Sequence, residues 1–186
     1  LRSFSTVRGS ARVARSIAIA VIVLLSPLGA NADEMRLDHR GALGLELLPG
    51  VEHASLVVNT NLPPPNFDAT RFVLGLEPTI AIGREGNEIV GTLRLLRGPD
   101  WGAAFGARFR KYFGRDEWKT FADFGIKVDS TPRWAAGPHV GLGVMYEFSP
   151  LVGVFANLGG SIEFGNGIRA AAEGFLGLQA RSYLIE

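Results

Sequence analysis

The sequence predicts an all-β fold, in which eight antiparallel strands close into an up-and-down transmembrane β-barrel behind a cleaved signal peptide. Three observations carry this. From Trp101 to Arg181, bulky apolar residues alternate with glycine, alanine and charged residues in five consecutive runs, a period of two that strands have and helices do not. The chain is 47% hydrophobic with 24 glycines and no cysteine, a composition rich in apolar groups yet without disulfides or a thiolate metal site. Its first 32 residues have the layout of an export signal.

In that signal Arg2, Arg8, Arg12 and Arg15 precede an apolar core from Ile17 to Leu25, followed by Ser26-Pro27 and Ala30-Asn31-Ala32, an A-x-A cleavage site. The core falls well short of the roughly 20 apolar residues of a spanning helix. Cleavage after Ala32 would remove four arginines and no acids, turning the formal net charge from +1 to −3. The mature chain has no basic patch with interleaved aromatics, so nucleic-acid binding has no support. Residues 33–40 read as a periplasmic lead-in and 41–186 as the barrel.

Within the barrel, Gly41 to Asn59 reads as one strand interrupted by a bulge or kink at Pro49-Gly50, with two short strands as the alternative. The apolar parity there changes from Leu43, Leu45 and Leu47 to Ala54, Leu56 and Val58. Thr60 to Ala69, with Pro63-Pro64-Pro65 and Asn66, is the longest loop. Thr70 to Ile82 sets Phe72, Leu74, Leu76, Ile80 and Ile82 against Arg71, Gly75, Glu77 and Thr79, with Pro78 a weak point in the ladder. After a turn at Gly83 to Asn87, Glu88 to Arg97 sets Ile89, Leu93 and Leu95 against Glu88, Thr92 and Arg94, and Gly98-Pro99-Asp100 turns the chain again.

The remaining five strands are the alternating runs. Trp101, Ala103, Phe105, Ala107, Phe109 and Phe113 oppose Arg108, Arg110 and Tyr112; Trp118, Ala122, Phe124, Ile126 and Val128 oppose Lys119, Asp123, Lys127 and Asp129. Val140, Leu142, Val144, Tyr146 and Phe148 oppose His139, Met145 and Glu147. Val152, Val154, Ala156, Leu158, Ile162 and Phe164 oppose Asn157, Ser161 and Glu163, and Ile168, Ala170, Ala172, Leu176 and Leu178 oppose Arg169, Glu173, Gln179 and Arg181.

The connections alternate in side. Gly83 to Asn87, Gly114-Arg115-Asp116 and Ser149-Pro150 would lie in the periplasm with both termini, and Thr60 to Ala69, Gly98 to Asp100, Ser130 to Arg133 and Gly165 to Gly167 outside. Trp101, Trp134 and Phe164 then stand at outer strand ends and Phe113, Trp118, Tyr146 and Phe148 at inner ends, two girdles of interfacial anchors.

Alternation alone fits a soluble lipocalin-like barrel as well, with the apolar face inside. The glycines on the charged face favour the opposite arrangement: on a solvated exterior they weaken strands, whereas in a narrow lumen they make room for long side chains. The expected lumen network is Arg71, Glu77, Arg94, Arg108, Arg110, Lys119, Asp123, Lys127, Glu147, Glu163, Arg169 and Glu173. An eight-stranded interior is only wide enough for side chains, and unpaired buried charges are costly. A paired polar plug is therefore expected in preference to a conducting pore.

The stretch Gly141-Leu142-Gly143-Val144-Met145-Tyr146-Glu147-Phe148-Ser149-Pro150, continuing through Gly153-Val154-Phe155-Ala156, resembles the strand, tight turn, strand unit of small bacterial outer-membrane β-barrels. That group includes the transmembrane domain of outer-membrane protein A and the opacity-type surface proteins. The resemblance implies an outer-membrane location, contact with outer-membrane lipid and lipopolysaccharide, insertion by the barrel-assembly machinery, and a non-enzymatic structural or surface-interaction role. Such barrels end on an aromatic residue read during assembly. Here the chain ends Tyr183-Leu184-Ile185-Glu186, so either Tyr183 takes that place or the signal is weak.

No motif implies a cofactor or metal. Glu46, Glu52 and His53 lack ligand spacing, and Gly141-x-Gly143 lies mid-strand and cradles no phosphate. His139 with Glu147 or Ser161 would suit a membrane-embedded lipid-modifying esterase, but without a nucleophile motif a satisfied polar residue is the plainer reading. A surface partner would meet the Thr60 to Ala69 loop.

Overall fold

A computed structural model describes residues 41–58, 68–82, 87–114, 117–131, 133–165 and 167–183. The expected signal peptide and lead-in and most of the Thr60 to Ala69 loop lie outside them. Eight strands follow in chain order: β1 Ala42–Val58, β2 Asp68–Ile82, β3 Asn87–Arg97, β4 Trp101–Phe113, β5 Trp118–Asp129, β6 Ala135–Ser149, β7 Val152–Gly165 and β8 Gly167–Tyr183. Each pairs antiparallel with the next, and β1 pairs with β8 to close the barrel.

The register fixes the shape. Tyr112 stands opposite Phe121, which stands opposite Gly143; the line continues through Asn157, Phe175, Gly50, Val73 and Leu96 and returns to β4 at Gly102. From residue 112 to residue 102 is a shear of ten over eight strands. At about 3.3 Å rise per residue and about 4.8 Å between strands, this tilts the strands by about 40° and leaves an interior that side chains can fill.

Along every strand large apolar residues stand on the outward face. Leu74, Leu95, Phe124, Ile126, Val140 and Leu176 are all exposed, Leu176 to 68%. A continuous apolar exterior of this kind is intolerable in water but suits hydrocarbon, where closure also satisfies every backbone group that an open edge would leave unpaired. The soluble lipocalin-like alternative is thereby overturned, since it needs the apolar face turned inward.

One expectation about β1 is corrected. No residue is inserted at Pro49-Gly50: Leu48, Pro49 and Gly50 stand opposite Gly75, Leu74 and Val73 in unbroken register. Pro49, lacking an N–H, coincides with a lapse in pairing to β8, which runs from Leu47 opposite Leu178 to Gly50 opposite Phe175 without a shift. Pro78 does the same on the β3 side, between Gly75 opposite Arg94 and Thr79 opposite Val90. The shift in β1 lies further on, between Leu56 and Val58. The parity argument misled because Ala54 is fully buried, as is Glu52 on the same face. Apolar does not always mean lipid-facing in this chain.

Candidate functional site in the barrel interior

All twelve charged residues expected in the lumen are buried on the inward face, and Glu46, Glu52, Glu88, Asp129 and Arg181 join them. Among the described residues that makes eight Arg or Lys side chains against nine carboxylates, close enough to balance that burial is supportable. A lone buried ion costs several kcal/mol, and only paired, hydrogen-bonded groups offset that cost.

The pairs form three groups along the barrel axis. At the inner end Glu147 receives Lys119 Nζ and Arg181 Nη1, each at 2.6 Å, and Glu88 receives Arg181 Nη2 at 3.0 Å and the Tyr112 hydroxyl at 2.9 Å. In the centre Asp123 accepts from Arg110 Nε at 2.9 Å, Arg108 Nη1 at 3.1 Å and Asn157 Nδ2 at 3.0 Å, while Arg110 also pairs with Glu46 and Arg108 with Glu77. Towards the outer end Asp129 lies 2.5 Å from Arg71 Nη2 and 3.1 Å from Arg169 Nη2. There Glu52 pairs with both Arg71 and Lys127, Glu163 pairs with Arg169, and Lys127 Nζ lies 3.3 Å from Glu173. Arg94 joins centre to outer end, with Nε 2.7 Å from Glu77 and Nη1 2.8 Å from Glu173.

The connection after β5 folds over the outer end of this network. The Thr131 carbonyl accepts from Arg71 Nη1 at 3.3 Å and Arg169 Nη1 at 2.5 Å, and its backbone N–H donates to Asp129 at 2.9 Å. Gly102 makes room, since a Cβ there would come within 1.9 Å of Thr131 Oγ1.

The interior is not purely polar. Leu48, Val73, Leu96, Met145, Phe121, Phe155 and Phe175 are buried in it, and of these the sequence pattern placed only Met145 on the charged face. Each ring stands opposite a glycine on the neighbouring strand: Phe121 opposite Gly143, Phe155 opposite Gly177, Phe175 opposite Gly50. A Cβ on any of those glycines would lie 2.2 Å from the ring. Guanidinium groups cover the other side, with Arg110 Cζ 4.3 Å from the Phe121 ring centre and Arg94 Cζ 4.3 Å from that of Phe175. The signal was available: Phe121 shares the parity of Lys119 and Asp123.

The expected anchors stand at the two ends. Trp101, Trp134 and Phe164 are exposed at the outer strand ends, with Trp134 stacked on Phe105 at 6.4 Å. Phe113, Trp118 and Phe148 are exposed at the inner ends, where the Tyr146 ring lies 4.9 Å from Trp118 and 5.0 Å from Phe148.

The catalytic trio does not assemble. His139 stands opposite Ser161, but its Nε2 lies 2.7 Å from Glu173 and the Ser161 hydroxyl donates to Glu163 at 2.7 Å, while Glu147 is held by Lys119 and Arg181. Nor do Glu46, Glu52 and His53 converge: both carboxylates point inward, whereas His53 is on the outer face, 3.1 Å from Thr70 Oγ1 and 3.2 Å from Asp68. Among the described residues no group of three or more His, Asp or Glu could hold a metal ion.

No family model matches the sequence, and a comparison with curated proteins gives no match. Solved structures do resemble it. The crystal structure of Neisserial surface protein A superposes with a TM-score of 0.60 at 13% identity, covering 76% of this chain and 99% of that one. The N-terminal β-barrel domain of Pseudomonas aeruginosa OprF gives 0.52 at 14% identity over 77% and 98% of the two chains. The outer membrane protein OprG of the same organism gives 0.51 at 9% over 80% and 100%. At these identities the likeness is one of fold, that of the small eight-stranded outer-membrane barrels.

Proposed function

We propose that the protein is an exported, integral outer-membrane barrel with a structural or surface-interaction role and no catalysis. One observation carries the reading: a closed sheet presents Leu, Ile, Val and Phe around its whole exterior while its ionised groups face each other inside. Lipid-facing side chains hold the barrel in the bilayer, the aromatic girdles fix its depth at both interfaces, and the ion-paired interior makes it rigid and closed. Outer-membrane lipid and lipopolysaccharide are its surroundings, and the barrel-assembly machinery inserts it. The Thr60 to Ala69 loop is the surface offered to a partner.

Fractionation with carbonate washing tests the location: the protein should stay with the outer membrane, and a soluble periplasmic pool would refute the reading. Replacing residues 60–67 with a short Gly-Ser linker should abolish surface binding without affecting detergent-resistant, heat-modifiable gel migration. For catalysis, His139→Ala should leave the mass profile of lipid A unchanged; an altered profile would establish the lipid-modifying alternative.

A further inference from the structure

Every inward cation of the described strands is paired with a carboxylate, but Arg97 and Lys111 point the other way. Both are exposed on the outward face, Arg97 as the last residue of β3 and Lys111 two residues before the end of β4. Arg97 stands opposite Trp101, the first residue of β4, and so lies in the outer girdle. Lys111 lies in the inner girdle, its Nζ 5.8 Å from the centre of the Phe113 ring. Between these two levels the outward side chains of β3 and β4 carry no charge.

Arg97 lacks an anion within its own chain. It forms no ion pair with any described carboxylate, Asp100 in the adjoining turn included, and Asp68, the outward carboxylate of β2, is held by His53 at 3.2 Å. The guanidinium lies over the Trp101 ring, Cζ 4.8 Å from its centre, which fixes the planar fork at the interface and leaves its N–H groups free to donate. Directly beside and below it the surface is apolar: Phe72 stands opposite Arg97, and Leu95 and Phe105 are exposed further towards the middle of the bilayer. Trp134 stacks on that Phe105 ring, and next to it in the chain Arg133 is a second exposed cation without an ion pair among the described residues. A guanidinium fork matches a phosphate in a bidentate manner, and the apolar ground below it matches acyl chains. An amphiphile with two phosphates on its head and several acyl chains meets both demands at once, and in the outer leaflet that description fits lipid A.

We propose that the outward surface at the outer end of β2, β3 and β4 is a docking site for one lipid A molecule. Arg97, oriented by Trp101, donates to one phosphate, Arg133 donates to the other, and the acyl chains lie along Phe72, Leu95 and Phe105. The inference rests on the outer-membrane reading above and adds to it the residues that select one lipid from the surrounding bilayer.

The test is native mass spectrometry of the exported chain folded in detergent, with lipid A, lipid A stripped of its phosphates, or phosphatidylglycerol added in turn. The wild type should retain one molecule of lipid A in preference to both other lipids. Arg97→Gln should weaken that retention roughly tenfold, the effect of losing one charge-assisted contact, and Arg97→Gln with Arg133→Gln should erase the preference for the phosphorylated form. Lys111→Gln, which removes an outward cation at the opposite interface, should leave retention unchanged. The proposal is overturned if stripped lipid A or phosphatidylglycerol is retained as well as lipid A, if the double variant still prefers the phosphorylated form, or if Lys111→Gln loses as much as Arg97→Gln. Heat-modifiable gel migration of each sample reports folding separately. A folded barrel that stays with the outer membrane yet shows no preference for lipid A refutes this inference alone, whereas a soluble periplasmic pool refutes the reading on which it rests.

Discussion

Arg94 Nη1 lies 2.8 Å from Glu173 Oε1 on the far side of the barrel, although 79 residues separate them in the chain. Strand closure brings them together. The same guanidinium holds Glu77 through Nε and covers the Phe175 ring, so one side chain ties β3 to β2 and β8.

Removing that tie should therefore be expensive. Arg94→Leu leaves Glu77 and Glu173 each short of a cation in the buried interior, and breaking a buried pair in this way typically costs about 3–5 kcal/mol. Urea titration of the protein folded in lipid vesicles measures it. Adding Glu173→Gln to Arg94→Leu should recover part of the loss, because the surplus carboxylate goes with it; no recovery would mean that Arg94 acts by packing alone.

The exterior makes an opposite demand. Phe105 and Leu142 point outward and are exposed. Arginine at a lipid-facing position near the bilayer midplane costs about 2–4 kcal/mol, so Phe105→Arg or Leu142→Arg should lower the midpoint of urea unfolding in vesicles accordingly. Arginine at His53, already polar and beside Asp68, should cost far less.

The glycines beneath the interior rings predict a rescue that differs between two sites. A Cβ on Gly177 would meet Phe155 ring atoms at 2.2, 2.5 and 2.8 Å, all of them side chain, so Gly177→Ala should destabilise by about 1–3 kcal/mol and Phe155→Leu should relieve much of it. On Gly143 the Cβ would meet both the Phe121 ring at 2.2 Å and the Ala156 carbonyl oxygen at 2.5 Å. The backbone cannot retreat as a ring can. Phe121→Leu should therefore fail to rescue Gly143→Ala, and equal rescue at both sites would contradict the geometry.

Much of this was legible in the sequence, because the period of a strand is two and every strand from Thr70 onward keeps it. Strand number and the inward charges from Arg71 onward follow from parity, and the girdle residues from their places at the strand ends. What was not legible has two causes. Parity gives a face but not a height, so the meeting of Arg94 with Glu173 and the three charge groups had to wait for the shear. A rule that equates apolar with lipid-facing also fails where the interior takes apolar side chains. It hid Phe121, Phe155 and Phe175, and by placing a bulge at Pro49-Gly50 it turned Glu52 away from Arg71 and Lys127. The folding of Thr131 over Arg71 and Arg169 left no mark in the alternation at all.

The central claim is that the exterior apolar side chains face acyl chains while the charges face one another, and the chain's three tryptophans, Trp101, Trp118 and Trp134, all stand on the exterior, each about two-thirds exposed. Tryptophan fluorescence of the protein folded in vesicles of lipid brominated on the acyl chains measures this directly. The structure predicts strong quenching, greatest when the bromines sit near the ester end of the chain, at the depth of the girdles. Emission unchanged by brominated lipid at any depth would place the tryptophans away from the bilayer and contradict the account.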